Sequence, residues 1–142
     1  MTTNASEVAR YFLALQDDED AISNLKLQKL LYYAQGFSLA LIGAPLFNEQ
    51  IKAWIHGPVV PAVWHEYREC GGGPIPRPVD FDPEILDAQA RSLIDEVYSV
   101  YGQFSAWRLR EMTHAEPPWK NTAQSGVIAR AEMERYFKTL TK

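Results

Sequence analysis

One segment constrains this chain more than any other. Between Ser23 and Gly43, the residues Leu27, Leu30, Leu31, Ala34, Phe37 and Leu41 recur at intervals of three and four, the spacing of a helix with an apolar stripe. Tyr32, Tyr33, Leu39 and Ala40 add apolar surface on the other faces. A helix apolar on most sides is packed all round, so the rest of the chain has to wrap it. Ser23 or Asn24 can cap its start, and Gly43 can stop it near Ile42. Gln35, Gly36 and Ser38 interrupt the stretch Leu30 to Ala44, which is too short and too polar to span a bilayer.

The remaining segments supply the wrapping. A first helix is expected over 5–15, capped by Thr3 or Asn4, with Val8, Tyr11, Phe12 and Leu15 as its stripe. The run Asp17-Asp18-Glu19-Asp20 follows and reads as a solvated loop, because like charges repel. Alternating Phe47, Ile51, Ala53 and Ile55 suggest a short strand, interrupted by Glu49. Pro61 suits the first turn of a helix reaching about Cys70, where Gly71-Gly72-Gly73 end it. Pro74, Pro76 and Pro78 then form a stiff extended connector. A long helix is expected from Pro83 to Tyr101, with Asp82 as cap and Leu86, Ala90, Leu93, Ile94, Val97 and Tyr101 as stripe. Gly102 breaks it, and a shorter helix follows from Ser105 to Met112. After a loop around Pro117-Pro118, a last helix covers 129–140, with Met133, Tyr136, Phe137 and Leu140 facing inward. The expected fold is mainly α: one compact domain over 1–142 around a buried central helix, with one short β element.

Composition narrows the function. A chain of 142 residues can bury roughly 70% of its unfolded surface in one core. The net charge is −4, and neither half is strongly basic: residues 1–70 carry 8 acidic against 5 basic residues, and 71–142 carry 10 against 9. A nucleic-acid binder normally shows a basic patch or stripe, so nucleic acid is not expected as the main partner. A single cysteine, Cys70, forbids an internal disulfide and fits a reducing cytoplasm. The start of the chain lacks the basic and apolar regions of a signal peptide, and no membrane partner is expected.

Few residues point to chemistry. His56, His65 and His114 match no standard zinc spacing. His65 with Glu69 and Glu66 with Cys70 are (i, i+4) pairs on one expected helix, a spacing that an ordinary solvated face also produces. Cys70 has no local base to activate it, and reads as a small filler. Pro74 after the three glycines cannot donate to a phosphate. Neither catalytic residues, a metal nor a cofactor is expected.

Two clusters are richer: 54–61, with Trp54, His56, Pro58 and Val59, and 109–119, with His114, Glu116 and Trp119. Rigid turns displaying aromatic and polar groups make good recognition surfaces, because little entropy is lost on binding. Alternatively both turns fold inward, with Trp54 and Trp119 plugging the core and the histidines bonded to buried backbone. Turns fixed from within can still present their other edge. The candidate partner-binding residues are therefore Trp54, His56, Pro58, Val59, His114, Glu116 and Trp119, together with Lys26 and Lys29 as exposed cations on the central helix.

The segment Leu25-Lys26-Leu27-Gln28-Lys29-Leu30-Leu31-Tyr32-Tyr33-Ala34-Gln35-Gly36 resembles the opening signature of the Panacea domain family. Gly43 to Phe47, Ala53 to Pro61, Leu109 to His114, and Pro118-Trp119 match in the same order. His56 departs from the aromatic residue, often tyrosine, that the family prefers. Members include phage-associated GepA-type proteins and SocA-type antitoxins. The resemblance implies a non-enzymatic antitoxin that binds a cognate protein toxin. For the SocA type it implies an adaptor delivering the toxin to an AAA+ protease, with the chain ends 1–4 and 139–142 as docking elements. Its complexes are expected to be 1:1 or symmetric, the latter through a homo-oligomer.

Overall fold

A computed structural model describes residues 3–17 and 19–141. The fold is mainly α with one two-stranded sheet. Helix α1 (Ala5–Leu15) opens on a capping box: Asn4 Oδ1 accepts from the Glu7 N–H at 2.8 Å, and the Glu7 carboxylate accepts from the Asn4 N–H at 3.1 Å. Asp17, Glu19 and Asp20 are exposed as expected, while Asp18 lies outside the described residues. Helix α2 (Asn24–Phe37), capped by Ser23, is the central one. Every residue from Lys26 to Gly36 is buried, and α1, α4, α5, α7 and the hairpin all pack on it. A wider turn over Ser38–Ile42 extends it to Gly43, whose φ of 82° ends it.

The expected strand over 47–55 is shorter. Only β1 (Lys52–Trp54) forms, and it pairs antiparallel with β2 (Gly57–Val59) through the turn Ile55-His56. Backbone bonds from 125–128 flank the hairpin: Ala53 N–H donates to Gly126, Ser125 N–H to Ala53, and Ile128 N–H to Ile51. Helix α3 (Pro61–Glu66) starts at Pro61 but stops four residues early, and a tighter 3-10 turn covers Arg68–Cys70. The α-helical (i, i+4) face assumed for His65–Glu69 and Glu66–Cys70 is therefore not built. Glu66 instead accepts from Ser6 Oγ on α1 at 3.0 Å.

The expected helix over 83–101 is two pieces. Asp82 caps a short 3-10 turn at Pro83–Ile85, Leu86 turns extended, and Asp87 caps α4 (Ala88–Tyr101). Asp87 captures the Ala90 N–H at 2.8 Å, competing with a continuous helix. Helices α5 (Ala106–His114) and α6 (Pro117–Lys120) follow, the second lying where a loop is expected. Helix α7 (Arg130–Leu140) buries Met133 and Phe137 and half-buries Tyr136, but Leu140 is 45% exposed. Gly36 makes room for α7: a Cβ there would stand 2.2 Å from the Phe137 ring.

Candidate functional site

The polar residues of α2 hold the surrounding loops in place. Gln28 accepts from the Val60 N–H at 2.9 Å and donates to Asn24, which in turn donates to the Trp64 carbonyl. Gln35 accepts from Leu46 and Phe47 and donates to the Phe47 carbonyl at 2.8 Å. Lys29 Nζ donates to the Pro58 carbonyl at 3.3 Å, and Lys26 Nζ to the Gly102 carbonyl at 2.6 Å. These bonds satisfy loop backbone that would otherwise be buried unpaired. They also correct the expectation of exposed lysines: Lys26 is 5% and Lys29 0% exposed. A helix surrounded on all sides offers its lysines no solvent face.

The two turns singled out in the sequence meet. Trp119 Nε1 donates to the Trp54 carbonyl at 2.8 Å, and its ring stacks on His114 at 4.0 Å. Arg110 Nε donates to His56 Nδ1 at 3.2 Å, and the Arg110 guanidinium lies 4.6 Å from the Trp107 ring centroid. The assembly is layered. Ile55 and Trp107 are both 60% exposed, and His56 is exposed. Trp54, Arg110, His114 and Trp119 are half-buried, whereas Pro58, Val59 and Glu116 are buried. Lys29 lies beneath the hairpin. Gly57 has φ 116°, and a Cβ there would stand 2.6 Å from Lys29 Cε and 3.0 Å from Thr113 Oγ1. Lys26 is apart, against the end of α4.

Charge is handled in two ways. Glu116 is buried but caged: Tyr33 donates to it at 2.7 Å and Tyr32 at 2.8 Å. Burial raises its pKa, and bonds from Tyr33, Tyr32 and Tyr136 oppose the rise. Both caged tyrosines are shifted upward, chiefly by burial and then by the Glu116 charge. Lys29 has no such cage. Burial, and then the Arg110 charge, bring its ammonium down to about 7. His114 is also lowered, by burial and then by Arg110 and Lys29, against a hydrogen bond to the Ile55 backbone. Its Nε2 is buried without a hydrogen-bond partner. Among the described residues, the ion pairs are Arg10–Glu66, Arg135–Glu132 and Lys138–Glu134; Lys29 and Arg110 are in none of them.

Sequence reasoning missed Arg110, Trp107 and the tyrosine cage. The (i, i+3) spacing of Trp107 and Arg110 on α5 was available as a signal; their meeting with His56 depends on the tertiary fold. A cleft of about 550 Å³, lined in part by Ser38, Ile42, Leu46, Ile85 and Ala90, contains none of the candidate residues. Among the described residues there is no group of three or more His, Cys, Asp or Glu able to hold a metal, and no helix long and apolar enough to cross a membrane.

A small helical domain with a polar-bonded central helix and a hairpin locked onto α5 and α6 is the class that these features define. The chain belongs to the family described as Antitoxin SocA-like, Panacea domain, which matches residues 27–120. It is similar to Antitoxin SocA of Caulobacter vibrioides (strain NA1000 / CB15N), 35% identical over 109 residues, which span 69% of this chain and 58% of that relative. The chain thus matches a little over half the length of that curated relative. No solved structure matches it.

Proposed function

We propose that this protein is a cytoplasmic antitoxin, one Panacea-like domain over 1–142, that neutralises a cognate toxin by direct protein–protein binding and without chemistry of its own. The observation that carries this reading is the family match across α2 to α6 together with the similarity to Antitoxin SocA. The geometry is consistent with it. The polar groups of the two turns are largely spent on holding the fold, as Trp119 is by Trp54 and Glu116 by its tyrosines. In this reading Trp54, His56, His114 and Trp119 contact or border the partner. Pro58, Val59, Glu116, Lys26 and Lys29 act from beneath, by positioning.

A genomic library from the native host, screened for fragments that stop growth and are rescued by this chain, tests the proposal. The expected result is at least one rescued gene whose product co-purifies with the chain in a 1:1 or symmetric complex. Purified protein that leaves every such product unbound and fully active would overturn it. Protease-deleted cells separate direct neutralisation from AAA+ delivery: toxin abundance is expected to stay the same with and without the protease.

A further inference from the structure

The exposed face of the hairpin turn and α5 has an unusual makeup. Arg110 is held between the His56 imidazole and the Trp107 ring. Ile55 and Trp107, each 60% exposed, flank it with apolar surface. Behind it stand Lys29, with one carbonyl partner, and His114, whose buried Nε2 has none. Arg110 acts on Lys29, and Arg110, Lys29 and His56 act on His114; none of these groups is acidic. Glu111, next in the chain, is exposed and is not among them. Arg110 and Lys29 are in none of the ion pairs among the described residues, and a basic cluster this close to an aromatic surface has the composition of a binding hot spot, where tryptophan and arginine predominate.

We propose that this face receives an acidic segment of the protein partner, with a carboxylate seated on Arg110 between His56 and Trp107 and apolar neighbours packing on Trp107 and Ile55. The inference rests on the antitoxin reading for the partner's identity, but its chemistry stands on the cluster itself. Arginine binds carboxylates through parallel hydrogen bonds. The chain's overall net charge of −4 disfavours a polyanionic nucleic acid, while a short acidic peptide meets only the local field.

Isotope-labelled full chain titrated with an N-acetylated Asp-Glu-Asp-Leu peptide amide tests this directly. The expected result is saturable shifts of the Arg110 Nε–H and the His56 and His114 rings, and a rise in the His114 pKa on binding. Affinity should fall at least tenfold in Arg110→Gln, be only partly kept in Arg110→Lys, which holds the charge but loses the guanidinium fork, and weaken with salt. His56→Ala, on the exposed turn, provides a second variant whose fold is not at risk. A peptide that leaves these signals unmoved, or binds Arg110→Gln equally well, overturns the proposal; so does tighter binding of a single-stranded oligonucleotide or of inorganic phosphate. Growth rescue separates the two readings. If wild type and Arg110→Gln rescue equally and the peptide does not bind, the carboxylate site fails and the antitoxin reading stands. If nothing is rescued but the peptide binds at Arg110, the reverse holds.

Discussion

Two buried charges on or against the same helix are treated in opposite ways. Glu116 is surrounded by hydroxyl donors from α2 and α7, and its neighbourhood is closed by stacked and edge-on aromatic rings: Tyr33 on Tyr101 at 3.9 Å, and Tyr32 on Phe137 at 5.4 Å. Lys29, one turn earlier on α2, has a single long bond to a carbonyl and a second cation nearby. The contrast separates structure from function. A satisfied buried charge fixes a fold, whereas an unsatisfied one is kept at a cost in stability. That cost is understandable if the groups above Lys29 meet an anion in the complex.

The largest effect that would sharpen this contrast is loss of the cage. Glu116→Leu leaves two buried tyrosine hydroxyls without their acceptor, so stability should fall by about 3–5 kcal/mol in urea unfolding. A loss below 1 kcal/mol would show that the cage is not structural.

The lysine side predicts a pH dependence instead. With its folded pKa near 7 against 10.5 when free, the unfolded chain holds more protons between these values. Stability should therefore rise with pH from 7 to about 9.5, by at most about 1.4 kcal/mol per pH unit. Above that range the tyrosines, raised in the fold, reverse the trend. Lys29→Met should remove most of the rise, leaving the smaller part from Lys26, whose ammonium burial also lowers; a wild-type profile that stays flat would contradict the contrast.

A smaller effect belongs to the cage wall. Gly36→Ala displaces Phe137, which packs on Tyr32 and Tyr33, and should cost about 2 kcal/mol. Smallest of all, His56→Ala on the exposed turn should change stability by less than about 0.5 kcal/mol, checked by the same unfolding curves.

The helical periods of α1, α2 and α7 were legible because each carries an apolar stripe, and Asn4, Ser23, Pro61 and Gly43 punctuate the chain as the sequence suggests. The break before α4 was not. Two Asp caps five residues apart, Asp82 and Asp87, compete, and either can start a helix. The lysines were misplaced for an instructive reason. If α2 is apolar all round, Lys26 and Lys29 cannot reach water, so their burial was already implied by the strongest feature of the sequence. The hairpin's backing by 125–128 and the convergence of Arg110 on His56 join residues far apart in the chain. No local pattern encodes such contacts.

Hydrogen exchange on the chain with and without its rescued toxin tests the central claim most directly. Binding through the hairpin and α5 predicts slowed exchange confined to about 53–60 and 105–116, with 85–101 unchanged. Protection centred instead on the cleft between Ser38–Leu46 and Ile85–Ala90, with the Arg110 face still exchanging freely, would contradict it.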